Sequence, residues 1–121
     1  TPAQLYHHLT GVLRYSMGEG PEMPDRSTWR SRLFRPLVLH GVIKIPRNVR
    51  VPKPKGMKER PAPQDGTFEE CDAALNAWLA RRQAGTLPVV PHPFFGPLDG
   101  GQWARFHAQH FRHHLTQFGV W

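Results

Sequence analysis

One cysteine, Cys71, occurs in 121 residues. An internal disulfide is therefore impossible, and so is a zinc site built from several thiolates. Long apolar runs are missing as well; none approaches the roughly 20 residues that cross a bilayer as a helix. Strand-like alternation is scarce, and neither a phosphate-cradling glycine loop nor a Ser-His-Asp arrangement stands out. These absences, with helix-period stretches between breakers, lead to the expectation of one all-α, bundle-like domain over residues 1–121. A reducing cytoplasm is the default compartment for so little cysteine.

Acidic residues are also few: nine Asp and Glu stand against sixteen Lys and Arg, for a net charge of +7. The excess is concentrated. Lys44, Arg47, Arg50, Lys53, Lys55, Lys58 and Arg60, offset only by Glu59, leave the remainder of the chain near neutral. Pro46, Pro52 and Pro54 exclude a helix there, and the absence of interleaved aromatics argues against base stacking. The segment reads as a long, basic, extended loop, so nucleic acid is not the expected partner. The competing reading is a non-enzymatic binding protein whose residues 44–60 grip an acidic partner or nucleic acid.

Histidine is what the chain has in plenty: eight, four of them between residues 107 and 114. Asp99 followed three residues on by Gln102 is a capping box, and Gly119 is a stop, so residues 99–118 read as one helix. On a 100° wheel Arg105, Gln109, Arg112 and Thr116 share the wet side. Trp103, Ala104, Ala108, Phe111, Leu115 and Phe118 share the apolar one. His107, His110 and His114 fall within the apolar half and His113 at its rim. Imidazole suits an apolar interior poorly unless its nitrogens are bound. His110 and His114, four apart, leave one face of the helix a turn apart, which is the spacing of metal ligands.

The other helices follow from similar signals. Thr1 and Pro2 start a helix that runs to about Met17 and stops at Gly18-Glu19-Gly20-Pro21. Its apolar side holds Leu5, Tyr6, Leu9, Val12 and Leu13, with His8 at the edge and His7 pointing away. Ser27 or Thr28 caps a second helix from Trp29, with Trp29, Leu33 and Phe34 expected to face inward and Pro36 expected to kink or end it. Thr67-Phe68-Glu69-Glu70 opens a third helix as a capping box, with Phe68, Cys71, Leu75, Trp78 and Leu79 inward and Gly85 at its end. Residues 88–98 read as a stiff apolar loop that delivers His92 towards the final helix.

One inward histidine on the first helix and the pair on the last would make a three-nitrogen site: His8, His110 and His114. Three histidines leave a position for water or substrate, which is the catalytic arrangement, and imidazole suits zinc, nickel or ferrous iron. His107, His113 and His92 are the candidates for acid, base or orienting roles.

Three stretches together, residues 1–17, His92-Pro93-Phe94-Phe95-Gly96-Pro97-Leu98 and the His-rich helix from Trp103 to Phe118, resemble the DinB/YfiT-like superfamily, in a branch of uncharacterised DinB-like proteins. The resemblance implies a four-helix bundle with a divalent metal on one histidine of the second helix and a pair four apart on the last. Here those are His8, His110 and His114. It further implies a metal-dependent protein, in some members a transferase or isomerase using a low-molecular-weight thiol; it does not supply the substrate, which would be a small molecule if the protein is an enzyme. In that pattern the first helix of the bundle would precede residue 1. The expectation is therefore a bundle short of one helix, either a fragment or a homodimer in which a second copy covers the gap.

Overall fold

The computed structural model describes residues 1–20, 23, 26–41 and 64–119. Most of the basic proline-rich loop expected at residues 44–66, including all of the cationic segment 44–60, lies outside the described residues. Four helices and one small hairpin make up the described fold: α1 (Pro2–Ser16), α2 (Trp29–Leu39), α3 (Phe68–Ala84), β1 (Val90–His92), β2 (Gly96–Leu98) and α4 (Gly100–Gln117). The expectation of an all-α chain is thus corrected at one place. Residues 90–98 form an antiparallel ladder, with Val90 opposite Leu98 and His92 opposite Gly96.

The helix starts follow from local chemistry. Thr1 accepts from the backbone N–H of Gln4 while the Gln4 side chain reaches back, with Pro2 in the first turn. Asp99 and Gln102 form the same reciprocal cap on α4. Thr28, rather than Ser27, caps α2 together with Ser31. At α3 only half of the expected box is made: Thr67 accepts from the N–H of Glu70. Gly85 ends that helix at φ +69°, a left-handed conformation that glycine adopts without strain.

Helix α1 packs chiefly on α3, α2 on α4, and α1 on α4, so the first and last helices share the interior. The core is Leu13 from α1, Met17 at its C-cap, Leu39 from α2, Ala74 and Trp78 from α3, Val90 and Leu98 from the hairpin, and Trp103 and Phe106 from α4. Cys71 lies half-buried against it and carries a free thiol. No described helix is long and apolar enough to cross a membrane.

The hairpin exists because its neighbours capture its carbonyls. Trp103 Nε1 donates to Val90 O at 3.0 Å, and the Tyr15 hydroxyl donates to Pro91 O at 2.6 Å. Ser31 Oγ donates to Phe94 O at 2.6 Å, and Arg35 donates to Phe95 O and Pro97 O. Among the described residues, period-two alternation appears only here: Val90, His92, Gly96 and Leu98 are buried while Pro91 and Pro97 face out. Both prolines sit opposite each other in the register and look to solvent, which a two-stranded ribbon with free edges tolerates.

Three inward assignments are corrected. On α2, Trp29, Leu33 and Phe34 are exposed, because Val38 and Leu39 turn into the core while Ser31 and Arg35 are drawn to the hairpin carbonyls. The helix also runs through Pro36 without ending there, with His40 N–H bonding Pro36 O at 2.9 Å. On α3, Phe68 and Leu79 are exposed; Phe68 meets Tyr6 edge-on at 6.0 Å at the rim of α1. On α4, Ala108 and Phe118 face solvent, since the helix is inserted by its Trp103, Phe106, His107 and His110 side.

Gly66 marks where the chain returns to the bundle before α3. Its N–H donates to Ala3 O at 2.8 Å, and a Cβ there would lie 2.7 Å from the backbone nitrogen of His7. Neither backbone can move without disturbing α1 one residue before His8. Gly66→Ala is expected to lower stability by about 1–3 kcal/mol, as overpacking of a rigid contact does. The midpoint of urea unfolding, read with an unchanged m-value, checks this.

Candidate metal centre

The interior face of α4 presents His107 and His110 one turn apart, and α1 lies across it. His8 leaves α1 one residue before the buried Leu9 and Thr10, so its ring is carried towards α4, whereas His7 is exposed. The result is a contact spanning most of the chain: His8 Nε2 lies 3.0 Å from His110 Nε2. His114 Nε2 lies 3.1 Å from the same atom. One ligand nitrogen from each of His8, His110 and His114 lies within 4.8 Å of the others, close enough to hold a metal ion.

The donor set fits such an ion on two grounds. Two imidazole nitrogens bound tetrahedrally at the usual zinc–nitrogen distance stand about 3.3 Å apart, a few tenths longer than the two contacts on His110, while the His8 and His114 nitrogens lie within 4.8 Å of each other. Protons alone also serve the cluster badly. A ring nitrogen carries either one hydrogen or one lone pair, so His110 Nε2 cannot make two good linear bonds at once. A cation takes all three lone pairs. His114 is prepared for this: its Nδ1 lies 3.0 Å from Gln117 Oε1, which only accepts, so the proton sits on Nδ1 and Nε2 is left bare.

Burial keeps the rings neutral. Desolvation, then the neighbouring charge of His114 and His7, lowers His8 from 6.5 to about 4. Desolvation followed by the facing His8 and His114 drives His110 lower still. His114 is lowered by burial and by His113, against an opposing bond from Gln117. Neutral imidazole is the form that binds metal. His110 is 8% exposed while His8 and His114 are half-buried, so the cluster opens on the side of those two rings.

The candidate acid–base residues lie in different settings. His107 is buried behind the cluster, with Nε2 2.9 Å from Ser16 Oγ and its ring edge-on to Trp78 at 5.1 Å. Burial lowers it to about 4. His92 is buried in the hairpin, where its Nδ1 accepts from the N–H groups of Phe94 and Phe95 at 3.0 and 3.3 Å. Its ring stacks on Phe95 and meets Phe106 edge-on, and Phe106 in turn stacks on His110 at 5.1 Å. Burial first, then His107, lowers His92 to about 3. His113 is half-buried beside His114, ring centroids 5.2 Å apart, on the more open side.

Sequence reasoning missed three parts of this arrangement: Ser16 as the partner of His107, Gln117 as the partner of His114, and Phe106 between His92 and His110. Gln117 was findable, because it stands three residues after a proposed ligand on the same helix. Ser16 and Phe106 carried no comparable local signal. A shallow open depression at the start of α4, lined by Arg82, Asp99 and Arg105, is separate from the histidines.

Four histidines, three buried and His8 half-buried, whose folded-state values lie well below 6.5 set a pH dependence. Between pH 6.5 and about 4 the unfolded chain takes up protons at His8, His92, His107 and His110 that the metal-free folded chain refuses. Stability is therefore full above about pH 6.5 and is lost as pH falls, with a slope approaching four protons near pH 5. Thermal unfolding of metal-free protein from pH 8 to 4.5 checks this; a flat melting temperature across pH 7 to 5 would contradict it.

No curated protein and no solved structure matches this chain. Residues 2–120 match the family described as Protein of unknown function (DUF1569). With nearly its whole length covered, the chain belongs to that family.

Proposed function

We propose that the chain is a divalent-metal-dependent enzyme of the DinB/YfiT-like kind, carrying zinc, nickel or ferrous iron on His8, His110 and His114. Its chemistry is transfer of a low-molecular-weight thiol to a small molecule, or hydrolysis of one. The observation that carries the reading is the meeting of three ring nitrogens from the two ends of the chain around one point. The resemblance of both ends to that superfamily supports it, as does a helix order that puts the paired histidines on the last helix.

A bound divalent ion would act as a Lewis acid, polarising a carbonyl or making a water or thiol more acidic. The chain's own residues supply the rest. Gln117 fixes the tautomer of His114. The half-buried side formed by His8 and His114 is the approach for a small molecule, and His113, beside His114, is the group there able to accept or return a proton. His92 and His107 are enclosed behind the ligands and hold the aromatic wall in place rather than touching substrate.

Purified wild-type protein is expected to contain close to one divalent metal per chain by elemental analysis, and His110→Ala and His114→Ala to lose it. Zinc at about 100 times its Kd should stabilise metal-stripped wild type by about 2.7 kcal/mol and leave His110→Ala unmoved. Metal-free wild type whose melting temperature ignores zinc, nickel and ferrous iron would sink the proposal.

A further inference from the structure

Three buried side-chain nitrogens have no hydrogen-bond partner among the described residues: Trp78 Nε1, His107 Nδ1 and His110 Nδ1. Their residues are 2%, 4% and 8% exposed. Burying a polar group without a hydrogen bond is costly, so three in one interior call for a partner of their own. His107 adjoins each of the other two. The rings of Trp78 and His107 meet edge-on at 5.1 Å, and His107 and His110 stand three apart on one face of α4.

The proton positions can be worked out from the contacts. Ser16 Oγ lies 2.7 Å from Leu13 O and 2.9 Å from His107 Nε2. A carbonyl oxygen only accepts, so the single hydroxyl hydrogen goes to Leu13 O. His107 Nε2–H then donates to Ser16 Oγ, and in a neutral ring Nδ1 is left as a bare acceptor. His110, holding metal through Nε2, carries its hydrogen on Nδ1. Trp78 Nε1 can only donate. Two donors and one acceptor are therefore left buried and without a protein partner in the same core. Their complement is a molecule that accepts two bonds and donates one, and a water with three bonds is the usual form of that.

We propose that a single buried water bridges Trp78 Nε1–H and His110 Nδ1–H to His107 Nδ1, and that His107 is thereby the positioning residue for the ligand His110. The inference rests on the metal reading of the His8–His110–His114 cluster. It ties that cluster to the backbone of α1 through a continuous line: His110, water, His107, Ser16 and the carbonyl of Leu13. An outer partner of this kind fixes the ring orientation of a metal-bound histidine and raises its basicity.

Two measurements on the full chain test it. Zinc affinity is read by competition with a chelator of known affinity for wild type, His107→Phe, His107→Gln and Trp78→Phe. His107→Phe keeps a ring and removes both nitrogens, and is expected to weaken zinc binding about 10-fold or more, the usual effect of losing an outer partner. His107→Gln, with a donor and an acceptor on one amide, is expected to recover part of that loss, and Trp78→Phe to show a smaller loss. Nitrogen-15 spectra of the imidazoles, in metal-free and zinc-loaded wild type, are expected to show His107 protonated at Nε2 and bare at Nδ1. A folded His107→Phe with wild-type affinity, or a His107 carrying its proton on Nδ1, overturns the proposal. Wild type that binds no zinc, nickel or ferrous iron overturns the metal reading instead, and the tautomer of His107 in metal-free protein still decides the Ser16–His107 part by itself.

Discussion

Two contacts of 3.0 and 3.1 Å converge on one atom, Nε2 of His110, and they come from residues 102 positions away and four positions away. Imidazoles brought this close in an apolar interior cannot all be protonated, and their own hydrogens cannot satisfy every nitrogen. Most of the surrounding structure reads as a response to that constraint. Helices α1 and α4 must cross close enough to share the cluster, so the residues flanking it, Leu9, Thr10, Leu13, Trp103 and Phe106, are buried with it.

Aromatic rings do much of the holding. Phe106 lies against both His92 and His110, and Trp103 touches Tyr15, His92, Phe106 and His107. Such edge-to-face and stacked contacts fix ring planes as well as bury area, which a ligand histidine needs if its lone pair is to keep one direction. The hairpin completes the wall. Its strands are too short to be stable alone. Carbonyl bonds to Tyr15, Ser31, Arg35 and Trp103 hold it, and through them α1, α2 and α4 are all tied to the hairpin that carries His92.

A second consequence is an interior more polar than a helical bundle needs for stability. Thr10, Ser16, His92, His107 and His110 are all buried. Thr10 and Ser16 return their hydroxyls to α1 carbonyls, at Tyr6 and Leu13. His92 accepts from its own turn. Polar groups in a dry interior are tolerated when they are bonded, and a network that is nearly closed specifies one arrangement of the helices rather than several.

Much of this was legible in the chain itself. Thr1, Thr67, Asp99 and the Ser27-Thr28 pair announce four helix starts, because capping involves only the next three residues. The choice of His8 over His7 and the pairing of His110 with His114 follow from helical periodicity, which is equally local. Tertiary structure alone decided the rest. It turned residues 90–98 into a hairpin through bonds to α1, α2 and α4, and it rotated α2 so that Trp29, Leu33 and Phe34 face out. It also joined Ser16 to His107 across 91 residues. Caps and periods are written within a turn or two of the backbone, whereas a partner for a carbonyl or a hydroxyl is set by whichever distant segment packs beside it, and no local pattern records that.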